Sequence, residues 1–125
     1  MANARLNIAV LDDEPEMRKA LRRLLTGRGY RVEEYDCAAS LLAAVGSSPP
    51  DCIILDLHLP GVNGFDVLDA LGTHSDRVPV VVLTALDDPG TGERVRLLGA
   101  SAHLKKPVDR EALLSAIHAA TVAPR

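Results

Sequence analysis

Apolar residues fall along this chain in short dense runs separated by stretches of helical period. Residues 6–11 (LNIAVL) are apolar apart from Asn7, and residues 52–57 (CIILDL) are apolar apart from Asp56. Residues 79–84 (PVVVLT) are rich in β-branched side chains behind an opening proline, which a strand start tolerates. Residues 101–106 (SAHLKK) make a weaker run, and residues 30–36 (YRVEEYD) mix apolar and charged positions as an edge strand does. Runs this continuous, without clean alternation, predict parallel strands covered on both faces. Between them, Met17, Ala20, Leu21, Leu24 and Leu25 follow the spacing of one helix face, with Arg and Lys on the other and Gly27 or Gly29 to end it. Residues 38–45 predict a shorter helix, closed by Gly46 and the Ser-Ser-Pro-Pro loop. Phe65, Val67, Leu68 and Leu71 mark a third and residues 91–98 a poorly patterned fourth. Residues 110–120 predict a fifth, with Leu113, Ala116, Ile117 and Ala120 on one face and Asp109 as N-cap. Strand and helix alternate five times, which predicts a doubly wound α/β sheet with five strands and five helices. Right-handed crossovers then bring every strand's carboxyl end to one edge.

Composition narrows the picture without changing it. The chain has 125 residues, 47% of them hydrophobic, enough for one domain with a full core. A net charge of −3, from 14 basic and 17 acidic residues with no basic stripe, predicts no direct nucleic-acid binding. No run of about 18 apolar residues predicts a membrane span, and residues 1–6 lack a signal-peptide core, so a cytoplasmic protein is expected. Cys37 and Cys52 make no disulfide framework, and no Cys/His spacing predicts a zinc site; Cys52 reads as a small core hydrophobe.

The polar residues that interrupt these runs fall at strand ends. Asp12 and Asp13 follow the first strand, Asp56 ends the third, Thr84 the fourth and Lys106 the fifth. In open α/β sheets ligands bind outside the carboxyl ends of strands, where the strand order reverses. If the first and third strands are neighbours, three carboxylates converge there and repel one another. They can share protons or bind a hard cation; an all-oxygen set with open positions suits Mg²⁺. A cation together with Lys106 would keep Asp56 ionised, and an ionised aspartate can accept a phosphoryl group. Lys106 and the Thr84 hydroxyl would then face the phosphoryl oxygens. The bland readings are distinct. Asp13 could N-cap the first helix, Thr84 could be a structural hydroxyl, and the Arg22-Arg23 pair a solvated helix face. His58 and His118 read as surface residues. Lys106 is preferred to Lys105 because it adjoins Pro107 and strand alternation turns the two in opposite directions.

The stretches VLDDEPEMR, IILDLHLPGVNGFDVL, PVVVLTA and GASAHLKKPVD, taken in order, resemble the receiver domain of two-component response regulators over residues 7–121. The resemblance implies a flavodoxin-like (βα)5 fold, strand order 2-1-3-4-5, in a single domain over residues 1–125 whose last four residues, 122–125, begin a linker. It implies that Asp56 is the phosphoacceptor and that Asp13, Asp56 and the backbone carbonyl of His58 ligate Mg²⁺, with Asp12 acting through a metal-bound water. By the same resemblance Lys106 contacts the phosphoryl group ahead of a cis bond to Pro107, and Thr84 is the switch hydroxyl. Pro60, Gly61 and Gly64 shape the loop after Asp56. His58 and Leu86 stand where the family tunes phosphoryl loss. One departure is His103, a titratable ring where the family carries its switch aromatic. Pro89, Gly90 and Gly92 predict a short or mobile fourth helix. The partners implied are a histidine kinase or phosphotransfer protein, a second copy through helix 4, strand 5 and helix 5, and an effector domain outside this chain, as in a transcription regulator. The alternatives are a stand-alone or degenerate receiver that acts by binding alone, and an aspartate-nucleophile phosphohydrolase. Against the last, that class carries two aspartates two residues apart at its first strand's end, and it has a cap domain absent here.

Overall fold

The computed structural model describes residues 5–74, 78–85 and 89–122. In chain order the elements are β1 (Asn7–Leu11), α1 (Pro15–Thr26), β2 (Arg31–Tyr35), α2 (Ala38–Ser47), β3 (Cys52–Asp56), β4 (His58–Leu59), β5 (Val62–Asn63), α3 (Gly64–His74), β6 (Val80–Thr84), α4 (Thr91–Leu97), β7 (Ala102–Lys105) and α5 (Arg110–Val122). Five of these strands form one parallel sheet in the order β2-β1-β3-β6-β7, which is the expected 2-1-3-4-5 once the two-residue β4 and β5 are set aside. β4 and β5 pair with each other as a small antiparallel hairpin that sequence periodicity did not predict.

The unbroken apolar runs follow from burial on both faces. Ala9, Leu11, Ile53, Leu55, Val80 and Val82 point to one side, where they pack with Leu41 and Val45 of α2, Val67, Leu68 and Leu71 of α3 and Val95 of α4. Ile8, Val10, Cys52, Ile54, Val81 and Leu83 point to the other, against Leu21 and Leu25 of α1 and Leu113 and Ile117 of α5. Each fully buried aliphatic chain contributes about 1.5–3 kcal/mol of transfer free energy. β2, with its mixed pattern, lies at the sheet edge as expected. The helix ends are local chemistry. Gly27 closes α1, and Gly29 turns the chain with φ 94°. Asp109 Oδ2 accepts from the Ala112 N–H at 2.9 Å, as its predicted N-cap role requires. α4 is only seven residues long and starts from Gly90 at φ 91°, in line with the glycine-rich entry.

Asp13 does not cap α1. Glu14 holds the cap position without a side-chain cap bond, and its N–H turns back to Asp12 Oδ1 at 2.9 Å. Pro15, at the first helical position, has no N–H to offer a cap. Arg22 and Arg23 are exposed, as expected of a solvated face, and Arg22 also pairs with Glu34 of β2 while its Nη2 donates to the Val32 carbonyl at 3.0 Å.

Candidate functional site

The strand order reverses between β1 and β3, since the chain leaves β1 for β2 on one side and later adds β3 on the other. The register pairs Leu11 with Leu55, so Asp12 and Asp56 each follow one member of the same pair. Asp12 and Asp56 are buried and Asp13 is half-buried, and one carboxylate oxygen from each lies within 4.8 Å of the others. On the other side of β3, Asp56 is in register with Leu83, which places Thr84, fully buried, one residue beyond. The Lys106 N–H donates to the Thr84 carbonyl at 2.9 Å, extending the β6–β7 ladder past its last pair and bringing Lys106 to the same edge. The Lys106–Pro107 peptide is cis.

The Lys106 ammonium stands among three carboxylates. It lies 3.2 Å from Asp12 Oδ2, 3.4 Å from Asp56 Oδ2 and 3.4 Å from Glu14 Oε1. Asp56 Oδ1 accepts from the His58 N–H at 3.1 Å. Burial pushes the Asp56 carboxyl above the ordinary carboxylate range; the His58 N–H and Lys106 pull it down, and the neighbouring Asp12 charge pushes it up. Burial alone would depress Lys106, but the Asp56 and Asp12 charges outweigh it and hold the ammonium above the usual lysine range. The site is therefore rich in negative charge: the Lys106 ammonium faces the buried Asp12 and Asp56, with the half-buried Asp13 beside them. A donor set made only of oxygens, charged and close together, fits a hard divalent ion.

His103 sits on β7 three residues before Lys106, in register with Val82. A Cβ on Gly92 would stand 3.2 Å from its Nδ1, so α4 is glycine where the ring tucks in. Its Nε2 is buried and has no hydrogen-bond partner among the described residues. Burial, with Lys105 adding to it, lowers the ring's pKa. The guanidinium of Arg94 lies 3.8 Å over the Phe65 ring, tying α4 to α3. The Gly64 position shapes the loop after Asp56 directly, because a Cβ there would lie 2.1 Å from the Leu57 carbonyl oxygen. His58 and His118 expose their side chains, as expected. Cys52 is buried, its thiol pushed up to about 12 by desolvation, and is inert core. Leu86 lies outside the described residues.

Sequence reasoning named Asp12, Asp13, Asp56, Thr84 and Lys106, and the fold brings all five to one edge. It missed Glu14, which shares Lys106, and Arg18, whose Nη1 donates to the Asp12 carbonyl at 2.6 Å. The available signal was position: Arg18 lies one turn into the helix that leaves the Asp12 turn.

The model of the response regulator receiver domain matches residues 8–118 of this chain. The transcriptional regulatory protein KdpE of Mycobacterium tuberculosis is 39% identical over 113 residues, covering 90% of this chain and 50% of KdpE. The response regulator MprA of Mycobacterium avium is 37% identical over 116 residues, covering 91% of this chain and 50% of MprA. A solved two-component response regulator of the LuxR family from an Aurantimonas species superposes with a TM-score of 0.88 at 27% identity, covering 98% of this chain and 89% of that one. The chain thus spans about half the length of the curated relatives it matches.

Proposed function

Because this chain belongs to the response regulator receiver domain family of two-component signalling, we propose that Asp56 accepts a phosphoryl group from a histidine kinase or phosphotransfer protein and that the modified domain switches a partner. The observation that carries this reading is a buried aspartate at the end of β3 with Asp12, Asp13 and Lys106 around it. Asp13, Asp56 and the His58 backbone carbonyl would hold Mg²⁺, and Asp12 would act on it through a bound water. When bound, Mg²⁺ supplies positive charge to the phosphoryl oxygens. Asp56 Oδ attacks phosphorus; the bond from phosphorus to the donor's imidazole nitrogen breaks, and its electron pair stays on that nitrogen, which takes up a proton. The His58 N–H orients the attacking carboxylate through Oδ1. Lys106, already 3.4 Å from Asp56 Oδ2, is placed to meet the new phosphoryl charge. Thr84 contributes its hydroxyl, and the chain is modified once per event without turnover.

The signal would leave through α4, β7 and α5. Thr84 and His103 form the switch, with His103 in place of the family's aromatic. Leu97 on α4 is 73% exposed and suits a homodimer or effector contact on this face. KdpE is a transcriptional regulatory protein, and we propose a transcription-regulating effector as the output of the whole protein. No helix among the described residues is long and apolar enough to cross a membrane. The test is incubation with acetyl phosphate and Mg²⁺, followed by borohydride trapping and peptide mapping. One phosphoryl group on Asp56, lost in Asp56→Asn and without Mg²⁺, is the expected result. Continuous release of phosphate from small phosphomonoesters would instead favour a phosphohydrolase.

A further inference from the structure

We infer that Arg18, anchored by Glu34, is a positioning residue for the divalent-cation site. The inference rests on the reading that Asp13 and Asp56 hold the ion, with Asp12 acting on it through a bound water.

Asp12 must be fixed in space for its carboxylate to serve, and every polar atom of it is tied. Its N–H donates to the Tyr35 carbonyl at 3.3 Å. Its Oδ1 accepts from the Glu14 N–H at 2.9 Å and its Oδ2 from Lys106 at 3.2 Å. Its carbonyl accepts from Arg18 Nη1 at 2.6 Å. That last bond comes from outside the turn and reaches the main chain between Asp12 and Asp13, so it sets both residues at once. Arg18 is itself held: its side chain is only 17% exposed, and its Nε lies 3.5 Å from Glu34 Oε1 on β2. Arg22 pairs with the same carboxylate and also bonds the Val32 carbonyl, so Glu34 is immobilised from two positions on α1. The result is a brace from the edge strand through α1 to the peptide that joins the two acidic residues. Groups that orient metal ligands from outside typically change metal affinity 10–100-fold when removed.

At Arg18, charge and positioning predict opposite signs, which makes the inference decidable. A guanidinium beside an acidic site repels a cation, so removing it for charge alone tightens Mg²⁺ binding. Removing a brace loosens it. Mg²⁺ alone is titrated calorimetrically into the full chain, and apo thermal stability is measured in parallel. Arg18→Ala is expected to weaken Mg²⁺ about tenfold, the lower end for such groups. Glu34→Gln loses an anion as well as the anchor, so both effects weaken binding there; the informative result is the double variant, expected to be no worse than Arg18→Ala. Arg18→Lys, which keeps the charge but not the two-ended reach, falls between. Arg23→Ala, exposed on the same helix, binds as the parent does. Unchanged or tighter Mg²⁺ binding in Arg18→Ala, with only the melting temperature lowered, overturns the inference whatever Glu34→Gln does, and leaves the metal site standing. A parent chain that takes up no Mg²⁺ overturns the metal site itself and the inference with it. If Arg18→Ala does not fold, Arg18→Lys, which keeps the charge, decides the question alone: weaker Mg²⁺ binding than the parent supports the brace, and parent-like binding overturns it.

Discussion

Without a divalent ion, the acidic site works against the fold, and Asp56→Asn measures by how much. Asp56 shares the pocket with Asp12 and Asp13, their nearest carboxylate oxygens within 4.8 Å, so at an effective dielectric of about 20 each pair repels by at least about 3.5 kcal/mol. The Lys106 ammonium, 3.4 Å from Asp56 Oδ2, returns about 5 kcal/mol on the same scale. Two repulsions therefore exceed one attraction by about 2 kcal/mol, before the cost of desolvating the Asp56 charge. Asparagine keeps the oxygen that accepts from the His58 N–H and drops the charge. Lys106 keeps Asp12 and Glu14 as partners. In EDTA, Asp56→Asn is expected to be more stable than the parent by about 1–2 kcal/mol, a rise of roughly 3–8 °C in Tm for a chain of 125 residues. Circular dichroism melts read this directly. Saturating Mg²⁺ then stabilises the parent by mass action, about 2.7 kcal/mol at a hundred times Kd, and stabilises the variant less. A variant that melts below the parent in EDTA, or that gains as much from Mg²⁺, refutes the reasoning.

Lys106→Met has the opposite sign: it removes the cation that faces three carboxylates, and urea unfolding in EDTA is expected to show a loss of about 3 kcal/mol. Gly64→Ala puts a Cβ 2.1 Å from the Leu57 carbonyl oxygen and 2.8 Å from its backbone carbons, none of which can swing away as a side chain would. A loss of about 1–3 kcal/mol or more is expected, with slower phosphorylation by acetyl phosphate because the loop after Asp56 must shift. His103 gives the pH dependence. Its pKa is lowered in the fold by burial from an ordinary 6.5, so between those values the unfolded chain takes the proton first. Stability from this residue is complete above the ordinary value and falls as the pH drops through that window. His103→Phe should flatten the fall in urea midpoint between neutral and mildly acid pH; an unchanged slope would exclude His103 as its source.

Much of this architecture is legible in the residues because single features did one job each. Unbroken apolar runs at 52–57 and 79–84 require cover on both faces, and the two clusters on either side of the sheet supply it. Asp56 and Thr84 stand where those runs close, at the carboxyl edge of the sheet, and Lys106 stands at the end of the weaker run 101–106. What escaped was set by tertiary contact. β4 and β5 are two residues each, too short for any period to register. Arg18 and Arg22 follow the polar face of an amphipathic helix and look solvated until β2 brings Glu34 alongside them. The alternative reading of Asp13 as a cap rested on Glu14 and Pro15 behind it, a helix-start signal. The backbone instead turns one residue later, leaving the carboxylate for the pocket.

The measurement that bears most directly on the central claim is a crystal structure with Mg²⁺ and a phosphoryl mimic such as beryllofluoride. The account predicts the mimic on Asp56, the ion held by Asp13, Asp56 and the His58 carbonyl, and Lys106 turned onto the mimic. An ion or mimic seated away from the ends of β1 and β3, with Asp56 bare, would contradict it.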